Sequence, residues 1–422
     1  MVKYDIIVIG AGAAGLMAAQ KAAGMGARVL LLERNEKAGR KIAITGKGRC
    51  NVTNDSDETT IEENMVTNPR FVRSAVHRFQ PHDMMRMIEE LGVPLKVERG
   101  QRVFPVSDRS FDIIDALVKG CRKNHVTFSF SSHVREITKQ EDAFEVRTDQ
   151  ETFRAARVIL CTGGVSYPTT GSTGDGYPLA KSFGHSVTPI NGGLVPLVTK
   201  ESWARNLKGL SLRNVAVKVT SNGKTVFSDF GEMLFTHFGI SGPVVLSASS
   251  RTGAWLRKKK TDWKNASVVF HIDLKPALDE EMMDERLRRD LEKYNKKQLI
   301  HAMEDLLPKR LIPVVIKEAG LSETLRADTL SAEAKRALKN TLKDLKLTIL
   351  RTRSVDEAII TQGGVEVREV DPKTMESKLV PGLYFAGELL DIDALTGGFN
   401  LQIAFSTGCA AGLSAAASLK EE

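Results

Sequence analysis

Three glycines near the amino terminus carry the clearest chemical signal in this chain of 422 residues. Gly10, Gly12 and Gly15 follow an apolar run at positions 6–9 and precede a stretch rich in small residues. A second apolar run ends at Glu33, about 20 residues after the glycines. Glycines at this spacing also occur in ordinary loops, but strand, turn, helix, strand and acid in this order predict a dinucleotide-binding βαβ unit.

Each residue type has a physical task in such a site. Gly10 permits a tight turn, Gly12 lets the backbone approach a pyrophosphate, and Gly15 lets the helix pack closely on the sheet. The N–H groups at the start of the helix and the positive end of its dipole favour an anion. Glu33 would accept hydrogen bonds from both ribose hydroxyls and would repel a 2′-phosphate, so FAD or NAD fits better than NADP.

The candidates for catalysis are His237, Arg49 and Asn51. Arg49 and Asn51 lie in a polar loop rich in glycine and threonine that follows Glu33, so we expect them beside the bound nucleotide or the substrate. His237 lies in the motif Thr-His-Phe-Gly, and a packed or capping histidine is the alternative interpretation. The sequence assigns no proton donor.

The four cysteines lie far apart and form no CxxC pair: Cys50, Cys121, Cys161 and Cys409. No histidine stands at metal-ligand spacing from them, so we predict a reduced, cytoplasmic protein without a structural metal. A buried or cofactor-adjacent thiol at Cys50 is favoured over a redox nucleophile, because no resolving cysteine is near it in sequence.

The charge is mildly basic, at +8 with an isoelectric point near 9.2. The basic runs at 257–260 and 286–289 are interpreted as solvated faces, with contact to a phosphate backbone as the alternative. The first residues show no secretion signal, and the uncharged stretch 394–419 contains too many glycine, serine and amide residues for a membrane span. We therefore predict no membrane association.

The elements that position these residues predict an α/β protein. Short apolar runs and the Asn222-Gly223 turn indicate a β domain, and a Leu- and charge-rich stretch with Ser322 and Ser331 as N-caps indicates helices. An apolar strand followed by a glycine turn, the pattern of the amino terminus, recurs at 383–388. The fold expected is a split Rossmann-like domain with an inserted β domain and a helical subdomain, bounded as follows: 1–190 (first part), 191–275 (β domain), 276–353 (helical subdomain) and 354–422 (second part).

The motifs together resemble the two-dinucleotide-fold flavoproteins, through GAGAAG at 10–15, TGG at 162–164 and AGE at 386–388. The chain more closely resembles the BaiN-like bacterial flavoproteins, and that likeness spans nearly its whole length. It is carried by ERNEKAGRKIAITGKGRCNVTN, GSTGDGYPLA, THFGISGP and AGELLDIDALTGGFNLQIAFSTG.

This resemblance implies non-covalent FAD, with adenine and pyrophosphate at 10–15 and Glu33. Val134 matches the place where related folds offer backbone to adenine. Gly387 and Glu388 match the segment that holds ribitol and phosphate, where related enzymes often have Asp instead of Glu. The other contacts expected along this cleft are Ala13, Ala14, Arg34, Gly39, Arg40, Lys41, Gly48, Arg49, Cys50, Asn51, Thr162, Gly163, Gly164, Gly174 and Asp175.

The flavin ring is expected at Gly397–Gln402. A helix that starts there would aim its N–H groups at the N1/C2 side of the ring, where negative charge develops on reduction. The glycines could equally serve only close helix packing, and the two roles are compatible. The residues predicted to contact the cofactor here are Gly398, Asn400, Leu401 and Gln402.

Three functions remain open from the sequence. The first is a cytosolic FAD-dependent oxidoreductase that acts by hydride transfer through flavin N5 on an unknown small molecule. Only one glycine fingerprint is complete, so NAD(P)H would be a transient reductant without its own Rossmann domain. The second, which the resemblance and the basic runs suggest, is formation of dihydrouridine in ribosomal RNA. An aromatic content of 6% and the lack of a recognisable RNA-binding module oppose it. The third is a flavin redox sensor without turnover.

Overall fold

A computed structural model describes residues 3–141 and 143–420, which form two compact units. The first unit contains the residues up to Gly193 and those from Val355 onward, and the second contains Leu194–Ser354. The second unit has one hydrophobic core of its own. The predicted segments 191–275 and 276–353 both contribute to that core, because strand and helix residues pack in the same cluster.

The strands have the following bounds. In the first unit they are β1 (Lys3–Ile9), β2 (Val29–Leu32), β3 (Thr53–Asn54), β4 (Met65–Thr67), β5 (Leu95–Glu98), β6 (Arg102–Pro105), β7 (Thr127–Ser129), β8 (Val134–Gln140), β9 (Ala143–Thr148), β10 (Thr152–Leu160) and β11 (Asn191–Gly193). In the second unit they are β12 (Leu197–Thr199), β13 (Ser211–Ser221), β14 (Lys224–Phe235), β15 (Gly239–Ser241), β16 (Val268–Asp273) and β17 (Leu345–Thr352). The first unit is completed by β18 (Ile360–Gln362), β19 (Leu383–Phe385) and β20 (Asp393–Ala394).

The helices divide in the same way. The first unit holds α1 (Ala13–Gly24), α2 (Arg40–Ile44), α3 (Glu58–Asn64), α4 (Pro69–Arg78), α5 (Pro81–Glu90), α6 (Ser110–Lys123) and α7 (Gly176–Ser182). The second unit holds α8 (Ser202–Asn206), α9 (Pro243–Lys258), α10 (Glu280–Lys293), α11 (Leu299–Ala302), α12 (Ile312–Glu318) and α13 (Ala332–Lys343). The last helix, α14 (Phe399–Ser418), returns to the first unit.

The main sheet of the first unit has the strand order β7-β2-β1-β10-β9-β8, with β19 paired to β10. The pairs β1/β2, β1/β10, β2/β7 and β10/β19 are parallel, and β9 joins β10 and β8 antiparallel. Ile6–Ile9 are buried without alternation, as expected for a parallel strand covered on both faces. The α/β class and the Rossmann-like fold predicted from sequence are confirmed.

Helix α14 packs directly against α1. A Cβ atom added at Gly408 would lie 2.3 Å from the Ala14 carbonyl oxygen, and one added at Gly412 would lie 2.3 Å from that of Ala18. Only glycine allows the two backbones to come this close. Within the described residues, no helix combines the length and apolar character that a membrane span requires.

Local sequence signals account for several boundaries. Helices α4 and α5 are separate elements, because Pro81 begins α5 and the chain cannot continue as one helix through it. The Ser331 side chain accepts the N–H of Ala334 and caps α13, as predicted. Ser322 was expected to cap a helix and does not, since its hydroxyl bonds Thr324 within a turn.

The second unit is a closed barrel with the strand order β12-β15-β14-β13-β16-β17. The Asn222-Gly223 turn joins β13 and β14, as the sequence predicts. Strand β17 closes the barrel by pairing with β16 and β12, although it follows four helices in the chain and lies in the stretch predicted to be helical.

Candidate cofactor site

The glycine turn after β1 has the geometry that its residue types predict. Gly10 has a φ of +100°, and a Cβ there would lie 2.5 Å from the Cys161 carbonyl oxygen. A Cβ at Gly15 would lie 1.8 Å from the Gly10 oxygen. No side chain fits at either position, so the turn, β10 and α1 meet backbone to backbone.

Gly12 differs from both neighbours because a Cβ there would meet no described atom within 4 Å. It precedes α1, whose first internal hydrogen bond runs from the Leu16 N–H to the Gly12 oxygen at 3.0 Å. The N–H groups of 13–15, which include Ala13 and Ala14, therefore have no partner within the helix. Open space in front of a helix amino terminus is what a pyrophosphate requires.

Glu33 is buried at the carboxyl end of β2, and the protein already uses much of its hydrogen-bonding capacity. Its Oε2 accepts the Ala11 N–H at 2.8 Å, and its Oε1 accepts both the backbone N–H and the side-chain Nδ2 of Asn35, at 2.9 and 2.7 Å. A carboxylate offers about four acceptor positions. About one position remains for a ribose hydroxyl, fewer than the sequence alone suggests.

Arg34 and Asp175 form an ion pair that connects the glycine-rich loop at 171–176 to the end of β2. Thr173 accepts from Arg34, and the His133 Nε2 lies 2.8 Å from Asp175. Gly174 has a φ of +82° and donates its N–H to the Gly164 oxygen at 3.1 Å. The loop at 171–176 is thus held beside the dinucleotide turn.

Lys41 and Glu388 are brought together from opposite ends of the chain. The Lys41 Nζ lies 2.6 Å from the Glu388 Oε2 and donates to the Ser166 Oγ at 2.6 Å. The Glu388 Oε1 accepts from the Ser166 hydroxyl at 2.9 Å and from the Thr361 N–H at 2.8 Å. Burial opposes ionisation of Glu388, but Lys41 and Thr361 outweigh it and hold the pKa of this carboxyl below its usual value.

Several buried polar atoms of the first unit lack a hydrogen-bond partner among the described residues. They include the Asn51 Oδ1, the Thr162 Oγ1 and the Tyr177 hydroxyl, of which Thr162 adjoins the Gly10 turn. Burial raises the pKa of Tyr177, so its phenol keeps its proton near neutral pH. Buried polar atoms are rarely left unpaired, and the unpaired Thr162 hydroxyl beside the Gly10 turn fits a polar ligand such as FAD.

Arg49 contacts two carboxylates, Glu98 and Asp108, and lies 4.1 Å from the centre of the Phe104 ring. The hydrogen bond to Glu98 and that to Asp108 raise the pKa of Arg49. Its charge is already neutralised by these partners, which lie on or next to β5 and β6. A catalytic role for Arg49 stays a prediction.

The start of α14 offers backbone rather than side-chain contacts. Gly398 has a φ of +102°, and a Cβ there would lie 2.3 Å from the Thr53 oxygen. The Asn400 side chain hydrogen-bonds Ala394. Its Oδ1 accepts the Ala394 N–H at 2.9 Å, and its Nδ2 donates to the Ala394 oxygen at 2.8 Å. Gln402 is fully buried and bonds Thr53, Phe79 and Ser406. What remains for a ligand is the set of N–H groups at 399–401, which includes the half-buried Leu401.

The other predicted contacts are distributed as follows. Gly387 donates its N–H to Thr407 at 3.0 Å, Gly39 donates to the Ala11 oxygen at 2.9 Å, and the Arg40 guanidinium donates to Asn35 at 2.8 Å. Val134 begins β8 and is buried, Gly48 is exposed with a φ of +84°, and Gly163 has a φ of +73°. A Cβ at Gly164 would lie 2.1 Å from the Thr361 Oγ1.

His237 belongs to the second unit, in the connection between β14 and β15, whereas the other predicted site residues belong to the first. Its side chain is exposed, and its ring lies edge-on to Phe238 at 4.8 Å between centroids. Its catalytic role stays a prediction. Sequence reasoning missed Asn35, Ser166, Thr361 and Tyr177. Asn35 and Tyr177 lie within the motifs ERNEKAGRKIAITGKGRCNVTN and GSTGDGYPLA, but only the fold shows what their side chains meet, and Ser166 and Thr361 lie outside the motifs.

All four cysteines are buried, and burial raises the pKa of each thiol: to about 12 for Cys50 and Cys121, to about 11 for Cys409, and above the usual range for Cys161. At pH 8 a thiol of pKa 12 is ionised in about one molecule in 10⁴. We therefore expect the native protein not to react with a disulfide reagent within minutes, and the unfolded chain to titrate four thiols. A fast native reaction that Cys50→Ser abolishes would contradict this and restore a redox role for Cys50.

Among the described residues, no group of three or more side chains could hold a metal ion.

A family model described as the HI0933-like protein Rossmann domain matches residues 4–414. The chain is 34% identical over 420 residues to the ribosomal RNA dihydrouridine synthase of Escherichia coli (strain K12), covering 99% of this chain and 100% of that protein. It is 33% identical over 413 residues to the 3-dehydro-bile acid delta(4,6)-reductase of Clostridium scindens, covering 97% and 98%. A second ribosomal RNA dihydrouridine synthase, from Haemophilus influenzae, is 32% identical over 97% of both chains.

Two solved structures share the fold. The 3-ketosteroid-delta4-(5alpha)-dehydrogenase of Rhodococcus jostii RHA1 has a TM-score of 0.51 at 16% identity, covering 98% of this chain and 97% of that one. A flavocytochrome c3 fumarate reductase has a TM-score of 0.50 at 16% identity, covering 98% and 78%. At these identities the likeness concerns the fold alone.

Proposed function

The chain belongs to the HI0933-like family of Rossmann flavoproteins and is an FAD-dependent oxidoreductase; we propose that it reduces a carbon–carbon double bond conjugated to a carbonyl, in a uridine of ribosomal RNA, with NAD(P)H as the reductant. The observation that carries the assignment of FAD as cofactor is the open space at Gly12, in front of the amino terminus of α1. The observation that carries the reaction type is the chemistry shared by the activities for which its relatives are named.

The two kinds of relative act on similar bonds. Dihydrouridine forms when the 5,6 double bond of uridine, which is conjugated to the C4 carbonyl, takes up a hydride and a proton. A delta(4,6)-reductase acting on a 3-dehydro-bile acid removes a double bond conjugated to a ketone in the same way. In either reaction by this chain, NAD(P)H would supply the hydride, solvent or a side chain would supply the proton, and NAD(P)⁺ would leave.

The residues of the first unit account for binding and orientation. Gly12 and the N–H groups of α1 would hold the pyrophosphate, Glu33 a ribose hydroxyl, and Lys41 with Glu388 the ribitol region. When bound, FAD would supply two-electron hydride chemistry at its N5 atom. The positive end of the α14 dipole would favour negative charge on the side of the ring that faces it, which raises the reduction potential.

Ribosomal RNA is proposed as the substrate because two relatives named ribosomal RNA dihydrouridine synthase align over nearly the full length of this chain. A small-molecule enone is the second candidate, because the bile acid reductase aligns equally well. The second unit is an antiparallel barrel with helices, and its described strands form no second glycine βαβ unit. NAD(P)H would therefore visit the flavin transiently.

The proposal is tested by anaerobic stopped-flow absorbance at the flavin band. Mixing with NADH and, separately, with NADPH is expected to bleach the flavin fully with at least one of them. Unmodified ribosomal RNA transcript is then expected to reoxidise it and to gain two hydrogen atoms at a uridine by mass spectrometry.

Each of the other outcomes contradicts one part of the proposed function: the substrate, the turnover, the reductant or the cofactor. Reoxidation only by a 3-keto-4-ene steroid acid would support the second candidate and exclude RNA. Bleaching with no acceptor turnover would indicate a redox sensor. Reduction by dithionite but by neither nicotinamide would exclude NAD(P)H, and a protein that neither contains nor takes up FAD would overturn the cofactor.

A further inference from the structure

The positive charge of this protein is concentrated in the second unit. Residues 194–354 contain 30 Lys and Arg against 19 Asp and Glu, a net charge of +11, whereas the whole chain has +8. The first unit is therefore slightly acidic. Such asymmetry between parts of one chain is typical of proteins that bind a polyanion.

The two basic runs of the second unit differ in what surrounds them. On α10, Arg286 pairs with Asp290 at 2.6 Å and Arg288 pairs with Glu292 at 3.3 Å, so that this run is a solvated face of mixed sign. Lys258–Lys260, at the end of α9, are exposed instead. Among the described residues, no carboxylate lies within ion-pair distance of their ammonium groups.

Two further lysines lie at the same end of the barrel. Asn222, in the turn between β13 and β14, donates its N–H to the Ser267 oxygen at 3.1 Å and accepts the Ser267 N–H at 3.3 Å. Lys224 follows this turn, and Lys264 precedes Ser267 by three residues. Both are exposed, and neither has a carboxylate partner in the described part of the chain.

Two tryptophans stand among these lysines. Trp255 is half-buried in the last turns of α9, and the Lys259 Nζ lies 6.0 Å from the centre of its ring. Trp263 is half-buried in the connection that leads to β16. Both rings pack partly against the core of the second unit, and the parts they leave exposed lie among flexible cations. Aromatic rings beside cations are the combination that stacks on bases and pairs with phosphates.

We propose that this lysine–tryptophan surface binds the phosphate backbone of folded RNA, with at least one base stacked on Trp263. Its members are Lys224, Trp255, Lys258, Lys259, Lys260, Trp263 and Lys264. The choice of RNA over other polyanions rests on the proposed function. The surface docks the substrate and takes no part in hydride transfer.

The test compares two triple variants of the full-length, FAD-loaded protein. Lys258→Gln/Lys259→Gln/Lys260→Gln removes three charges from the surface, and Lys296→Gln/Lys317→Gln/Lys335→Gln removes three exposed lysines elsewhere in the same unit. Binding to ribosomal RNA transcript is measured by fluorescence anisotropy between 50 and 200 mM KCl. The surface variant is expected to bind roughly tenfold or more weakly, with a salt slope smaller by about two to three.

The scattered variant is expected to bind nearly as the parent does, and both variants should keep parental flavin bleaching by NAD(P)H. Trp263→Ala is expected to weaken RNA binding about tenfold with little change in salt slope, because it removes stacking and no charge. Its melting temperature, compared with the parent's, separates this loss from unfolding.

The outcomes distinguish the proposal from the function on which it rests. Parental RNA binding by the surface variant, or equal weakening in both triple variants, would overturn the surface and leave an RNA substrate intact. A parent protein that does not bind RNA would overturn both and leave the reductase with a small-molecule substrate. Equal binding of the parent to phosphatidylserine vesicles, lost in the surface variant, would assign the surface to a membrane.

Discussion

Gly12→Ala is expected to lower the affinity for FAD at least about 100-fold while leaving the apoprotein as stable as the parent. The added methyl group meets no described atom within 4 Å, so it costs no packing energy. It would instead occupy the space in which the pyrophosphate approaches the α1 N–H groups. The affinity is measured by titrating apoprotein with FAD, and the stability by thermal unfolding without flavin.

Two glycines of the same helix supply the controls. Gly15→Ala places a methyl group 1.8 Å from the Gly10 oxygen and is expected to destabilise even the apoprotein by at least about 2 kcal/mol. At Gly24 the nearest neighbour of an added Cβ is the Asn124 Nδ2 at 3.4 Å, so Gly24→Ala should change neither quantity. Parental FAD binding by Gly12→Ala would show that the pyrophosphate does not lie at this turn.

The sequence predicts well those features that depend on neighbouring residues. The turn at Gly10–Gly15, the hairpin at Asn222-Gly223 and the Ser331 cap each need only a few consecutive residues of the right type. The return of the chain at 383–388 is also readable, because β19 and α14 repeat the strand–glycine–helix pattern of the amino terminus.

Features that depend on distant residues were not predictable in this way. β17 is an ordinary amphipathic run after a long helical stretch, and only its pairing with β16 and β12 shows that it completes a barrel. Polar side chains raise the same difficulty. Asn400 and Gln402 look like ligand contacts beside Gly398, but Ala394 and Phe79 already use their amide groups.

Lys41→Met is expected to destabilise the protein by about 2 kcal/mol and to shift its acid sensitivity to higher pH. In the parent, the pKa of Glu388 lies below its ordinary value of 4.5. The ionised carboxylate therefore contributes stability above about pH 4.5, and this contribution is lost as the pH falls through the lower folded-state pKa. Without Lys41, burial prevails and raises the pKa of Glu388, so unfolding and FAD release should begin at a higher pH.

A double-mutant cycle shows whether the effect passes through Glu388. Lys41→Met/Glu388→Gln removes both charges and is expected to recover about half or more of the stability lost in Lys41→Met. Its stability should no longer show the shift to higher pH that is expected for Lys41→Met. Lys37→Met changes an exposed lysine of the same segment and should behave as the parent does. Urea unfolding and flavin retention are followed from pH 4 to 8. If Lys41→Met and Lys37→Met behave alike, the Lys41–Glu388 ion pair contributes nothing to stability or flavin retention, and Glu388 is held by Ser166 and Thr361 alone.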